Sequence, residues 1–394
     1  MNSLIEYLND PEKVAAVQKC FGIELASETL INAKRDDERY DPKWATSILP
    51  DHENACYTGR KKSDERYRYF VRSRFFYYFF QFITRMGNEI FYILFLPIMT
   101  WNYDDRMLSF ITITWALVMY VGQATKDIIK MPRPHTPPVV KIEEQYLLEY
   151  GFPSTHAMAA MTISFTMMHQ IFTHSPSMEL EHRLTIFAIC FTIGSLVCLS
   201  RLYLGMHSLL DLSAGLLYSL ALSALMTSRA KWLVDSLCSS LPFGVLVYLF
   251  FLLACVVYPS RKRWSSARAD TFLIQGVGAG IGLGMALKNH LGLHGIGKIS
   301  ELTYLTDNVT LSLLVSRALV GTIGVLIARY ASKKIVYSLT RLVYRLPKSS
   351  DNDLKEFIKQ KFFLELFYYF FTYSNVSFTV IFMSFVALDY FNLK

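Results

Sequence analysis

The sequence predicts an all-α fold, a polytopic membrane helix bundle of about nine transmembrane helices. Three observations lead there: 52% of the 394 residues are hydrophobic, they gather into long uninterrupted runs, and the basic residues flank those runs. A soluble chain of this length would divide into two or more domains and alternate apolar with polar residues. Here the apolar runs fall at 75–100, 106–125, 157–173, 184–200, 207–227, 241–258, 270–287, 310–328 and 362–388. Each is near the ~20 residues a bilayer demands of a helix. Lipid offers the backbone no hydrogen-bond partner, so only helices or a closed barrel can span it. Continuous rather than alternating hydrophobicity excludes the barrel.

The net charge of +8 would suit nucleic acid in a soluble protein. Arg60, Lys61, Lys62, Arg66, Arg68, Arg72 and Arg74 precede the first run, however, and Arg261, Lys262 and Arg263 lie between two others. Basic flanks of this kind set membrane orientation and touch headgroups. The arginines and aromatics interleaved over 66–80 are an interfacial belt on the same reasoning, not an RNA surface. None of the six cysteines has metal-ligand spacing, and they read as buried small hydrophobes rather than a disulfide framework. No apolar signal-peptide core opens the chain, so the first span is expected to target it.

Three regions follow: a polar N-terminal arm at 1–65, a core of six membrane helices at 66–258, and three further membrane helices at 259–394. Within the arm, 11–32 could form a short amphipathic helix. Arg85 and Glu89, four apart in the first span, are expected to share a helix face and pair, equally as a functional pair or a structural lock. The prolines of 126–156 make it a loop. Gly276, Gly280 and Gly284 form a close-packing face, and 331–361 is a charged connection. No internal repeat is found.

Three segments carry chemistry: Lys126 with Arg133-Pro134, Pro153-Ser154-Thr155-His156, and Ser200-Arg201 with His207 and Asp211. Counting spans, they leave or enter helices on one membrane face. Lys126, Arg133 and Arg201 supply positive charge and many donors, and the arginine fork matches phosphate oxygens. Ser154 adds a hydroxyl, and His156 sits at a predicted helix N-terminus, where anions are favoured. Two histidines suit a two-step displacement in which one attacks phosphorus and the other protonates the leaving alkoxide. Asp211, one turn after His207, is placed to fix that ring's tautomer. Singly, each cation could be a headgroup anchor and Asp211 a helix cap; the joint spacing is what argues for a site. His52, His135, His169, His174, His182, His290 and His294 read as structural.

These segments resemble the phosphatidic acid phosphatase superfamily of membrane phosphatases. Within it, Lys126-Asp127-Ile128-Ile129, Pro132-Arg133-Pro134, Pro153-Ser154-Thr155-His156-Ala157-Met158 and Leu196–Arg201 resemble the sphingosine-1-phosphate phosphatases over roughly 75–227. Thr155 stands where the wider superfamily usually has glycine. The resemblance implies that His207 is a nucleophile forming a phosphohistidine and that Asp211 supports it. His156 would be the general acid and then the base. Lys126, Arg133, Ser154, Thr155 and Arg201 would hold the phosphate oxygens, with no metal and no cofactor. The implied substrate is sphingosine-1-phosphate or another long-chain base phosphate, and the implied location is the endoplasmic reticulum membrane with the site facing the lumen. Basic residues counted over the connections would instead put the site face in the cytosol. Other readings of the chain are a broad-specificity lipid phosphate phosphatase and a non-catalytic lipid-phosphate binder or transporter. The presence of both His156 and His207 favours the enzyme.

Overall fold

The computed structural model describes residues 2–25, 69–143, 149–174, 178–259, 264–293, 308–345 and 351–390. The chain is an all-α polytopic membrane protein, with one two-stranded ribbon near its start. In order, the first elements are α1 (Asn2–Asn9), α2 (Pro11–Cys20), β1 (Ile23–Leu25), β2 (Tyr69–Val71), α3 (Arg74–Arg85), α4 (Glu89–Asn102), α5 (Asp105–Ile129) and α6 (Thr155–His174). Then follow α7 (Leu180–Tyr203), α8 (Leu209–Thr227), α9 (Ala230–Ser239), α10 (Leu241–Val256), α11 (Ser266–His290), α12 (Asn308–Tyr344) and α13 (Asp351–Lys359). The C-terminal apolar run is α14 (Phe362–Leu366), α15 (Thr372–Phe378) and α16 (Ser384–Tyr390), joined by π-helical turns at Phe367–Phe371 and Thr379–Met383.

Among the described residues, six helices are long and apolar enough to cross a bilayer, or seven if α9 and α10, bent by 117°, make one span. The expected count of nine differs at two places, and at a third, the 241–258 run, unless α9 and α10 make one span, because α10 alone has only 16 residues. The 75–100 run is not one helix: Gly87 and Asn88, poor helix formers, lie between α3 and α4. Arg85 therefore ends one helix and Glu89 begins another, so the shared face expected of them is lost; the Glu89 side chain lies outside the described residues. The 157–173 run does form α6, 20 residues long, but its histidines, threonines and glutamine keep it below the hydropathy of a span. Further on, α12 does not stop near 328 but runs 37 residues to Tyr344. Its later residues are charged yet good helix formers, so the connection expected over 331–361 is largely helical.

The chain forms two compact units. One comprises 1–88, 125–160 and 192–217; the other comprises 89–124, 161–191 and 218–394. In the second unit, Gly276 and Gly280 lie against the backbone of Phe370 and Ser374, and Gly284 lies against Ile381, the close-packing face expected of them. Two buried ion pairs tie its helices: Lys288 with Asp105, and Arg268 with Glu365 at 2.6 Å, the latter carboxylate also accepting from Trp264 Nε1 at 2.7 Å.

In the first unit, α2 is shorter than the 11–32 helix expected. Asp10 caps it by accepting from the Glu12 amide at 2.9 Å, and Pro11 takes the first turn, where its missing N–H costs nothing. The helix ends at Cys20, and the chain turns through Gly22 into β1, antiparallel to β2. Cys20 is exposed, unlike the buried cysteine expected, because it lies at the end of the helix; Cys190 and Cys255 are buried as expected. Cys56 lies outside the described residues. Val14 and Gln18, four apart, form the buried face of α2. Val14 packs with Val139, Ala157, Leu202 and Leu212, and Phe80 stacks on Tyr203 with ring centroids 4.4 Å apart. Gln18 works as a clamp: its Nε2 donates to Val140 O (2.6 Å) and Tyr203 O (2.9 Å), while its Oε1 accepts from Val140 N (2.9 Å).

Candidate active site

All eight residues singled out by the three segments lie in the first unit, and all are buried. Lys126 sits in the last turn of α5, Arg133 in the loop after it, and Ser154, Thr155 and His156 at the start of α6. Arg201 is in the last turn of α7, and His207 and Asp211 flank the start of α8. The loop closes on itself where Gly151 N donates to Met131 O (2.9 Å), and it docks on the α7–α8 turn where Ile142 N donates to Leu204 O (3.1 Å). Gly205 makes that docking possible. It has φ +67°, and any Cβ there would strike the carbonyl of Val140.

Arg133 organises the centre. Its Nε donates to Glu149 O (3.0 Å), and its Nη1 donates to Met206 O (2.7 Å) and lies 3.2 Å from His207 Nε2. A guanidinium only donates, so Nε2 is the acceptor and the ring proton belongs on Nδ1. Burial, then the charges of Arg133, Arg201 and Lys126, holds the His207 imidazolium well below its ordinary range, so the ring is neutral. Burial likewise brings the Arg133 guanidinium down to about 10, with Glu149 opposing the shift.

His207 does not begin the helix, as the expected i, i+4 face would require; it lies in the turn before it. Nδ1 stands 3.6 Å from Asp211 Oδ2, longer than a hydrogen bond. Asp211 instead closes a reciprocal cap: its Oδ2 accepts from Ser208 N (2.8 Å), and Ser208 Oγ accepts from Asp211 N (3.1 Å). Geometrically, Asp211 thus combines the two readings open from sequence, capping α8 and facing the nucleophile candidate.

The cations are met by carboxylates that sequence reasoning did not single out. Lys126 Nζ donates to Glu149 Oε2 (3.1 Å) and Thr155 Oγ1 (3.0 Å), and Arg201 Nη1 donates to Glu143 Oε2 (2.7 Å) and Thr84 Oγ1 (2.5 Å). Arg201 Nε and Nη2, Ser154 Oγ and His207 Nδ1 are buried with no hydrogen-bond partner in the protein. Buried donors rarely go unsatisfied, and the three of Arg201 and Ser154 match an anion with several acceptor oxygens. Among the described residues, no three His, Cys, Asp or Glu side chains are grouped as metal ligands would be.

The PAP2 superfamily pattern matches residues 106–235, a stretch that encloses every one of these site residues. Sphingosine-1-phosphate phosphatase 2 of Mus musculus is 38% identical over 78% of this chain and 85% of its own length. Sphingosine-1-phosphate phosphatase 1 of Rattus norvegicus is 36% identical over 78% of this chain and 70% of its own. Lipid phosphate phosphatase delta of Arabidopsis thaliana is more distant, 25% identical over 65% of this chain and 62% of its own. No solved structure matches the chain. The chain therefore belongs to the sphingosine-1-phosphate phosphatase family of the PAP2 superfamily and is a membrane lipid phosphate phosphatase.

Proposed function

We propose that this enzyme hydrolyses sphingosine-1-phosphate and related long-chain base phosphates through a phosphohistidine on His207, without a metal ion. The observation that carries the mechanism is Arg133 Nη1 at 3.2 Å from His207 Nε2, beside the partnerless donors of Arg201 and Ser154. A phosphate entering there meets guanidinium donors and the attacking lone pair together. Lys126, Arg133, Arg201, Ser154 and Thr155 bind its oxygens. Nε2 of His207 forms a bond to phosphorus as the phosphorus–alkoxide bond breaks, and His156 gives the leaving alkoxide its proton. His156 then takes a proton from water, whose oxygen attacks phosphorus, and the phosphorus–nitrogen bond breaks to release phosphate. Asp211 stabilises the cationic His207 ring in between. Lys126, Arg133 and Arg201 supply the donors to the phosphate oxygens that a metal would otherwise coordinate.

The names of the relatives and the segments shared with them support the substrate. The resemblance supports an endoplasmic reticulum membrane with the site facing the lumen. The test is phosphate release from a panel of sphingoid-base phosphates, lysophosphatidate, phosphatidate and glucose-6-phosphate, with and without EDTA. Preference for the sphingoid bases and survival in chelator are expected; activity lost to EDTA and restored by magnesium overturns the metal-free reading. His207→Ala should abolish phosphoenzyme, whereas His156→Ala should form it from a nitrophenyl ester, whose leaving group needs no acid. Equal rescue of both variants reverses the roles. An acceptor site for glycosylation introduced beside Arg133 should be modified if this face is lumenal.

A further inference from the structure

The side chains of the site balance one another's charge. Lys126, Arg133 and Arg201 bring three positive charges, and Glu143, Glu149 and Asp211, all interacting with Arg133, bring three negative ones. The two glutamates are held differently. Glu149 is buried, its carboxylate lies 3.1 Å from Lys126 and 3.8 Å from Arg133, and its peptide oxygen accepts from Arg133 Nε. Both its backbone and its side chain are fixed. Glu143 keeps 20% of its side chain exposed while its partner Arg201 has none, and its carboxylate meets the guanidinium through one oxygen at 2.7 Å. Its backbone is anchored next door by Ile142 N on Leu204 O. Glu143 is thus the carboxylate able to leave its arginine without disturbing the loop.

A phosphate monoester dianion entering a neutral site leaves two uncompensated negative charges in a poorly solvated place, which costs binding. A substrate with an ammonium group near its phosphate returns one positive charge, provided a carboxylate stands ready for it. We propose that Glu143 is a specificity-determining residue. A phosphate oxygen replaces it on Arg201, and the released carboxylate accepts the protonated C2 amine of the long-chain base. Four bonds separate that nitrogen from phosphorus, so the ammonium must sit beside whatever adjoins the phosphate cations, and Glu143 adjoins Arg201. The inference rests on the long-chain base phosphatase reading above and adds to it how the amine is read.

The experiment measures kcat and KM of the folded, detergent-purified full chain on sphingosine-1-phosphate and on the same compound lacking the 2-amino group. The wild type is expected to favour the amine-bearing substrate in kcat/KM. Glu143→Gln should lose about tenfold on that substrate, chiefly in KM, as expected for one charge-assisted hydrogen bond. The discrimination between the two substrates should therefore narrow by about that factor, and the variant's unfolding midpoint in detergent certifies its fold. Glu143→Asp should recover part of the preference. An equal loss on both substrates would mean that Glu143 only positions Arg201, and no loss on either would mean that it does neither; each overturns the proposal while leaving the phosphatase reading intact. A wild type that hydrolyses neither substrate overturns both.

Discussion

In the proposed mechanism one carboxylate holds two jobs, and replacing Asp211 with asparagine separates them. The remaining amide oxygen can still accept from Ser208 N, the bond that the third helical residue returns to the N-cap, so α8 should keep its start. What disappears is a negative charge 3.6 Å from His207 Nδ1. When His207 attacks phosphorus its ring becomes cationic, and at that distance with an effective dielectric near 20 the lost attraction is about 4.6 kcal/mol, an upper limit of roughly three orders of magnitude in rate. Solvent and the neighbouring cations reduce this, so turnover should fall by at least about two orders, with KM little changed because Lys126, Arg133 and Arg201 remain. The control is Ser208→Ala. It removes the hydroxyl that accepts from Asp211 N but leaves the charge, so it should lower stability by about 1 kcal/mol and keep turnover per folded molecule. The assay is initial-rate phosphate release, normalised to monodisperse protein, alongside thermal unfolding in detergent. Near-normal normalised turnover in Asp211→Asn, or a loss confined to KM, would refute the supporting role and leave the cap as the residue's whole function.

Other outcomes follow from the same geometry. Because burial and three cations keep His207 neutral when folded, whereas the unfolded ring takes up a proton near its ordinary 6.5, stability should fall as pH drops below about 6.5. His207→Asn should flatten that slope in unfolding midpoints measured from pH 7 to 5, and an unchanged slope would contradict the neutral ring. Gly205→Ala should cost more than about 2 kcal/mol, since a positive φ adds to a collision with Val140 O. Gly205→Asn, which tolerates the φ but not the collision, should not rescue the unfolding midpoint. Gln18→Ala strips hydrogen bonds from Val140 N, Val140 O and Tyr203 O. At about 1 kcal/mol or more each, it should lose roughly 3 kcal/mol of stability, together with turnover; a silent substitution would remove α2 from the support of the site.

The side chains gathered in the candidate site were legible in the sequence because several of them fall together at successive helix ends, although each type alone is common there. Lys126, His156, Arg201 and His207 each stand within a few residues of an apolar boundary, and those boundaries are close to helix ends in the structure. Glu143 and Glu149 were not legible. A carboxylate in an irregular loop has no periodicity, and Glu143 reaches Arg201 across 58 positions of chain. Gln18 was hidden for a related reason: it looks like one polar residue on a short helix, and its partners lie 122 and 185 positions away. The break at Gly87-Asn88 was masked by hydrophobic residues on both sides, which carry a hydropathy window across a turn that the backbone does not cross as helix.

The length of α12 has a consequence for where the protein meets water. Thirty-seven residues at 1.5 Å rise make a rod of about 56 Å, whereas the hydrocarbon layer is about 30 Å thick and the whole bilayer about 45 Å. At the average tilt of about 20° such a rod still spans about 53 Å. Leu319, Ile323, Leu326 and Ile327 are exposed apolar residues suited to acyl chains, whereas Lys333 and Lys334 lie over the rings of Tyr337 and Tyr330, the pairing of cation and aromatic that a headgroup layer favours. The stretch from Tyr330 onward is therefore a post rising through one interface. A cysteine placed at 333 should react with a water-borne maleimide, and one placed at 323 should not.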